Sequence, residues 1–166
     1  CGMSDLVERI SDALDDGAEY LVMGEIAAHT GLLVSQAPRN DEDYDIIVNN
    51  LDMSKSCMVE FIHSRDQFRG TIKSTEYDFL VFVYAPSKIV DGVVKPSWGE
   101  EAEQTKGMYV FPRSVVKTAV DEATGTDFDP RKILVDGKPD KDRYRDYRGA
   151  FQLIAELVPN SPPDFT

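Results

Sequence analysis

The chain has 166 residues, of which 42% are hydrophobic and 10% aromatic, and its formal net charge is −12. This length and composition are typical of one globular domain and exclude a disordered chain. No apolar run approaches the roughly 18 residues that a membrane-spanning helix needs. The chain does not begin with a basic segment followed by an apolar one, so the default expectation is the cytoplasm.

The chain has two cysteines, Cys1 and Cys57. A disulfide framework is therefore not expected. Cys57 opens a strongly apolar stretch and is predicted to be a small core residue. Cys1 and Gly2 precede Met3, which could be the natural start.

Charge is unevenly distributed along the chain. Residues 1–56 carry twelve Asp and Glu against three Lys and Arg, whereas residues 112–148 carry nine Lys and Arg against eight acids. The overall charge argues against broad nucleic-acid binding, because phosphate contacts need cations to displace counterions. A basic surface could form only in the later part.

The first predicted element is a helix from Asp5 to Thr30, either continuous or split near Gly17, with Ser4 as N-cap and Gly31 as C-cap. A short apolar run, Leu32 to Val34, leads into a polar loop. Three segments rich in β-branched and aromatic residues then predict strands: Tyr44–Val48, Cys57–His63 and Phe79–Tyr84.

The second half is more irregular. Pro86 to Lys106 is predicted to be an insertion or long loop, with Asp91-Gly92 as a tight hairpin signal. The elements predicted after it are a strand at Gly107–Phe111, a short helix from Pro112 to Val120, a short strand at Ile133–Val135 and a helix at Lys141–Val158. We expect one domain over residues 1–158 and a flexible tail over residues 159–166.

These elements predict an α/β domain with a central mixed sheet of about four strands flanked by helices. Their order resembles the PD-(D/E)XK restriction-endonuclease-like fold. The matching segments are Met23–Ala28 on the helix, Tyr44–Val48, Val59–Ile62 on the central strand, Tyr77–Val83, Tyr109–Pro112 and the helix from Tyr144 to Ile154.

The resemblance implies metal-dependent phosphodiester hydrolysis of nucleic acid. Asp45 and Glu60 match the two acids that hold Mg²⁺ or Mn²⁺ in that family, and Glu25 matches an auxiliary acid on the helix. The position of the family's lysine, however, is Ile62, which can neither donate a proton nor hold a water. Glu60 is the most informative of these acids, because a carboxylate in an apolar strand should be paired or bound to a cation.

The substitution at position 62 leaves three interpretations open. The chain could be a degraded nuclease that kept the fold as a binding module. It could be active with a cation from elsewhere, such as Lys73 or Arg65, in the catalytic role. The third is that the resemblance is mistaken or that the register differs by one or two residues, but a shift by one residue would turn Glu60 away from the site.

Candidate phosphate contacts are Arg65 near the site, and Arg113 and Lys117, one turn apart on the short helix. The segment Lys141–Arg148 interleaves cations with acids, which favours a salt-bridged exposed face.

Two functional hypotheses follow. One is a nuclease with Asp45, Glu60 and Lys73 in the catalytic roles, and the other is a non-enzymatic protein-interaction module on the same scaffold.

Overall fold

The computed structural model describes residues 3–38, 41, 43–65, 67–85, 87–96 and 107–160. Cys1, the polar segment 97–106 and residues 161–166 lie outside the described residues.

Three helices and eleven strands are described, together with two short 3₁₀ turns at Pro130–Lys132 and Arg143–Tyr147. The helices are α1 (Met3–Thr30), α2 (Arg113–Thr118) and α3 (Gln152–Leu157). The strands are β1 (Leu33–Gln36), β2 (Ile46–Asn49), β3 (Ser56–Ser64), β4 (Gly70–Thr71), β5 (Phe79–Tyr84), β6 (Ser87–Val90), β7 (Val93–Pro96), β8 (Met108–Pro112), β9 (Asp127–Phe128), β10 (Leu134–Val135) and β11 (Lys138–Pro139).

The long N-terminal helix is continuous and passes through Gly17 without a break. It begins at Met3, so Ser4 lies in the first turn and is not the predicted N-cap. Gly31 ends the helix with a φ of 67°, and its N–H donates to the carbonyl of Ala27 at 3.0 Å. This left-handed conformation costs glycine little, which explains why the helix ends there.

A five-stranded mixed sheet forms the centre of the domain, in the order β1-β2-β3-β5-β8. Strands β3 and β5 are parallel, and the other neighbours are antiparallel. The predicted α/β class with a central mixed sheet is confirmed. The fifth strand is β1, which follows the short apolar run after α1 and pairs with β2 at the edge of the sheet.

Each face of the sheet carries its own apolar core. On one face, α1 contributes Val22 and Ile26, and the C-terminal segment contributes Phe151 and Ile154. The opposite face is largely aromatic and includes Phe82, Tyr109, Phe111 and Phe128. Because side chains alternate along a strand, β5 supplies both cores and is buried on both sides.

The segment after β5 contains a β-hairpin where the sequence predicts an insertion or long loop. Strands β6 and β7 pair through a two-residue turn at Asp91 and Gly92, with φ values of 52° and 73°. Positive φ at both positions is the type I′ turn that an Asp-Gly pair favours. The turn prediction is confirmed.

The prediction of a single helix over Lys141–Val158 is wrong. The chain forms the 3₁₀ turn Arg143–Tyr147, passes through Gly149 at a φ of 59°, and only then forms α3. Gly149 N–H donates to the carbonyl of Met108 at 2.9 Å, and Arg148 bridges to Tyr109. Pairing with β8 therefore overrides the helical periodicity at this point.

The chain after α3 returns to the loop that follows β2. The carbonyl of Pro159 accepts a hydrogen bond from Asn50 Nδ2 at 3.2 Å, and the side chain of Asn160 accepts one from the Leu51 N–H at 2.8 Å. These two residues belong to the segment that the sequence predicts as a tail. Both are tied to the domain.

Candidate functional site

Asp45 and Glu60 face each other across two antiparallel strands. Asp45 directly precedes β2, in which Ile46 pairs with Val59 of β3. The Asp45 N–H donates to the Val59 carbonyl at 3.0 Å, and Asp45 Oδ2 accepts from the Phe61 N–H at 3.0 Å. The side chains of Asp45 and Glu60 share a hydrogen bond. The two carboxyl groups therefore converge.

The electrostatics of the pair are dominated by Glu60. Burial, a hydrogen bond with Asp45 and repulsion by the Asp45 charge raise the pKa of Glu60 to about 9, against the lowering effects of the Phe61 N–H and Lys73. At neutral pH one proton is therefore held between the two carboxyl groups. A cation bound between them would replace that proton.

Lys73 lies close enough to Glu60 for its charge to favour the ionised carboxylate. Its side chain is exposed, while its neighbours on both sides are held in place. Ile72 is buried and its N–H donates to the Thr126 carbonyl at 2.8 Å, and Ser74 Oγ donates to Asp43 Oδ1 at 2.9 Å. The backbone thus presents Lys73 from a fixed position.

Ile62 packs into the aromatic core beside the site. Its Cγ2 atom would lie 2.8 Å from a Cβ atom built on Gly70, so β4 crosses closely over this side chain. Ile62 is thus a packing residue. Arg65 lies past the end of β3, in a cavity that it shares with Arg69.

Glu25 and Glu19 of α1 lie in different surroundings. Glu25 Oε2 lies 3.0 Å from His29 Nε2, and the His29 ring stacks on Phe151 at 5.0 Å. Burial and then the charge of Asp45 raise the pKa of Glu19, so Glu19 lies close enough to Asp45 to interact with it. Glu19 and Glu25 are six residues apart on the helix, which corresponds to a rise of about 9 Å and a rotation of about 240°.

Glu19, which the sequence did not single out, lies beside Asp45. A cavity of about 380 Å³ opens beside Asp45 and is lined by Asp16, Glu19, Gln36 and Tyr44, among others. Gln36 Nε2 donates to Glu19 Oε1 at 3.4 Å across this cavity. The end of β1 therefore helps to position the helix acid.

Two more polar groups lie behind Glu60. The Tyr77 hydroxyl is buried and has no hydrogen-bond partner among the described residues. Burial and the Glu60 charge raise the pKa of Tyr77, while the charge of Arg113 lowers it. Arg113 itself lies 3.5 Å from Glu76, and Lys117 is exposed one helical turn further along.

The donor set includes only two carboxyl groups suited to a metal ion. Within the described ranges, no group of three or more His, Cys, Asp or Glu side chains is arranged to hold one. The carboxyl groups of Asp45 and Glu60 still fit a hard cation such as Mg²⁺, which binds through one or two carboxylates and takes its other ligands from water and substrate phosphate.

The fold is similar to that of four solved chains, one of which is described below. No protein-family model and no curated protein matches the chain. A bacterial homing endonuclease of known structure, I-Ssp6803I, superposes with a TM-score of 0.50 at 20% sequence identity, over 86% of this chain and 88% of that chain. The chain has a nuclease-like α/β fold. At this identity the likeness shows the fold, and it assigns no role to any residue.

Among the described residues, no helix is both long and apolar enough to cross a bilayer.

Proposed function

We propose that this chain is a metal-dependent nuclease of the PD-(D/E)XK type, in which Lys73 takes the place of the lysine that is absent at position 62. The observation that carries the proposal is the meeting of three groups. The carboxyl groups of Asp45, just before β2, and of Glu60 on β3 share a hydrogen bond, and the charge of Lys73 acts on Glu60 from a neighbouring segment.

Asp45 and Glu60 would hold Mg²⁺ or Mn²⁺, which supplies charge stabilisation at the phosphoryl oxygens and a water of lowered pKa. The role of Asp45 is to present one oxygen while its Oδ2 stays fixed by the Phe61 N–H. Glu60 gives up its proton as the cation binds. Glu19, across the cavity from Asp45, replaces Glu25 in our proposal as the auxiliary helix acid.

Lys73 would donate a hydrogen bond from Nζ to a phosphate oxygen or to the attacking water. A positive group at this place stabilises the charge that develops on the phosphoryl oxygens. The water oxygen forms a bond to phosphorus, the bond to the leaving sugar oxygen breaks, and the leaving oxygen gains a proton as the water loses one. The products are a phosphomonoester and an alcohol.

A calorimetric titration with Mn²⁺ tests the metal site, because Mn²⁺ prefers the same oxygen ligands as Mg²⁺. Asp45→Asn should abolish binding, whereas Asp52→Asn, a change at an exposed acid after β2, should leave it intact. Lys73→Ala should bind the metal as the wild type does and lose DNA cleavage by about two to four orders of magnitude. The matched control is Lys138→Ala, on the exposed strand β11.

A non-enzymatic interaction module is the second candidate, and the packing of Ile62 beneath Gly70 favours it. In that case the carboxylate pair would bind no Mn²⁺, or would bind it without cleavage of DNA by the wild type. Cleavage by the wild type that survives Lys73→Ala would instead remove Lys73 from the catalytic site.

A further inference from the structure

The segment from Arg69 to Lys73 has a regular alternation of burial. Arg69, Thr71 and Lys73 are exposed, Gly70 is partly buried, and Ile72 is 2% exposed. In an extended chain, alternate residues project to the same side. Strand β4 covers only Gly70–Thr71, and the two cations flank Thr71 on a solvent-facing edge, at most about 13 Å apart at 3.3 Å per residue.

This segment connects two places on the same side of the sheet. Its Lys73 end lies at the carboxyl group of Glu60. Its Arg69 end borders a cavity of about 350 Å³ whose walls include Arg65 and Thr71. Between the two ends, Gly70 crosses over Ile62, the strand residue two positions beyond Glu60.

The segment is also rigidly held, which suits a binding edge. Gly70 and Thr71 pair with Phe128 and Asp127 of β9, and Ile72 is anchored to Thr126. Asp127, which pairs with Thr71, also lines the cavity, and its negative charge reduces the positive charge that Arg65 and Arg69 give the cavity. Elsewhere the net charge of −12 repels polyanions, so an anionic strand is steered to a local cationic edge.

We propose that the edge formed by Arg69, Thr71 and Lys73 is a track for the phosphate backbone of one nucleic-acid strand, with the Arg65–Arg69 cavity as its distal phosphate site. The proposal rests on the nuclease function above and extends it to substrate placement. Successive phosphates of one DNA strand advance about 3.4 Å along the helix axis and also turn about it, so they lie further apart than this rise, and the edge from Lys73 to Arg69 spans only a few of them. Arg69 is thus assigned a phosphate remote from the bond that is cut.

Fluorescence anisotropy with a fluorescein-labelled DNA duplex and the corresponding single strand tests the track. The titrations are run in EDTA, so that no cleavage occurs, and over a series of salt concentrations. Arg69→Ala should weaken binding about tenfold and reduce the salt slope by about one. Arg69→Glu should weaken binding further, while Arg9→Ala, at an exposed cation of α1, should leave affinity and slope unchanged.

The outcomes separate the track from the catalytic proposal. If the wild type binds DNA, Arg69→Ala weakens that binding and no cleavage occurs with Mn²⁺, the track stands and the nuclease proposal fails. If the wild type cleaves DNA while Arg69→Ala and Arg69→Glu bind as it does, the track is overturned and the nuclease proposal survives. Absence of DNA binding by a folded wild type at low salt also overturns the track. Circular dichroism confirms that each variant is folded.

Discussion

The Nδ1 atom of His63 lies 2.9 Å from Oδ1 of Asp15, and this contact joins the long helix α1 to the central strand β3. The His63 side chain is 1% exposed, whereas that of Asp15 is 47% exposed. A buried imidazole is therefore reached by a carboxyl group at the protein surface. The contact fixes the helix at the level of the strand's last residues, on the face opposite Ile62.

Asp15→Ala should destabilise the domain by about 1–2 kcal/mol, because it removes the hydrogen-bond partner of a buried ring nitrogen. Asp12→Ala, at an exposed position one turn earlier, is the control and should change stability by less than about 0.5 kcal/mol. Urea unfolding followed by circular dichroism measures both. Equal stabilities of the two variants would show that the contact contributes nothing.

The stability of the domain should fall as pH rises from about 5 to about 9. The folded state raises the pKa of Glu60 to about 9 from 4.5, so it binds more protons than the unfolded state across this range. The stabilisation that Glu60 contributes is fully present below its pKa in the unfolded chain and is lost as pH rises through its pKa in the folded protein. Glu60→Gln should flatten the profile, and Glu76→Gln, at an exposed acid, should not.

Binding of Mn²⁺ should release close to one proton at pH 7, since the cation replaces the proton held between Asp45 and Glu60. Calorimetry in buffers of different ionisation enthalpy measures the number released. Affinity should rise with pH up to the raised pKa of Glu60. Binding without proton release would place the metal away from this pair.

Gly70→Ala should destabilise the domain by about 1–3 kcal/mol, because the added methyl group would meet Ile62 Cγ2 at 2.8 Å. The cost should shrink in an Ile62→Ala background, where that atom is gone. A double-mutant cycle isolates the coupling. Additive effects would show that the two residues do not press on each other.

Asn50 is 1% exposed and should be one of the most sensitive polar positions. It donates to Ser54 Oγ at 2.9 Å and to the Pro159 carbonyl, and accepts from the Lys55 N–H at 3.0 Å. Asn50→Ala should lower the free energy of unfolding by about 2–4 kcal/mol, because several groups lose their hydrogen-bond partner. Asn160→Ala, which removes one hydrogen bond to Leu51, should cost about 1 kcal/mol.

The central strands could be predicted because their burial imposes a simple pattern. Phe79–Tyr84 is apolar throughout, and the observed strand has the predicted bounds. The fate of Lys141–Val158 could not be predicted, because a helical periodicity there competes with pairing to β8, which only the fold reveals. The edge strand β1 was missed as a strand for a similar reason, since its residues are mostly exposed.

For the site, too, the sequence indicates which segments carry the acids, but it does not indicate how distant segments pack together. The opposition of Asp45 and Glu60 depends on strand register, and each lay in a segment whose strand character was visible in the sequence. Which helix acid approaches Asp45 depends on how α1 is rotated against the sheet. Sequence spacing alone did not distinguish Glu19 from Glu25.

The parallel pairing of β3 with β5 has a consequence for the site. Antiparallel neighbours can be joined by a tight turn, but parallel ones need a long crossing connection. Here residues 65–78 provide that connection, and they include Arg69, Lys73 and Tyr77. Shortening this segment would therefore disconnect the sheet itself. A cation carried on this obligatory crossing, such as Lys73, is protected from loop deletion, whereas a side chain on a strand, such as that of Ile62, can be exchanged without altering the topology.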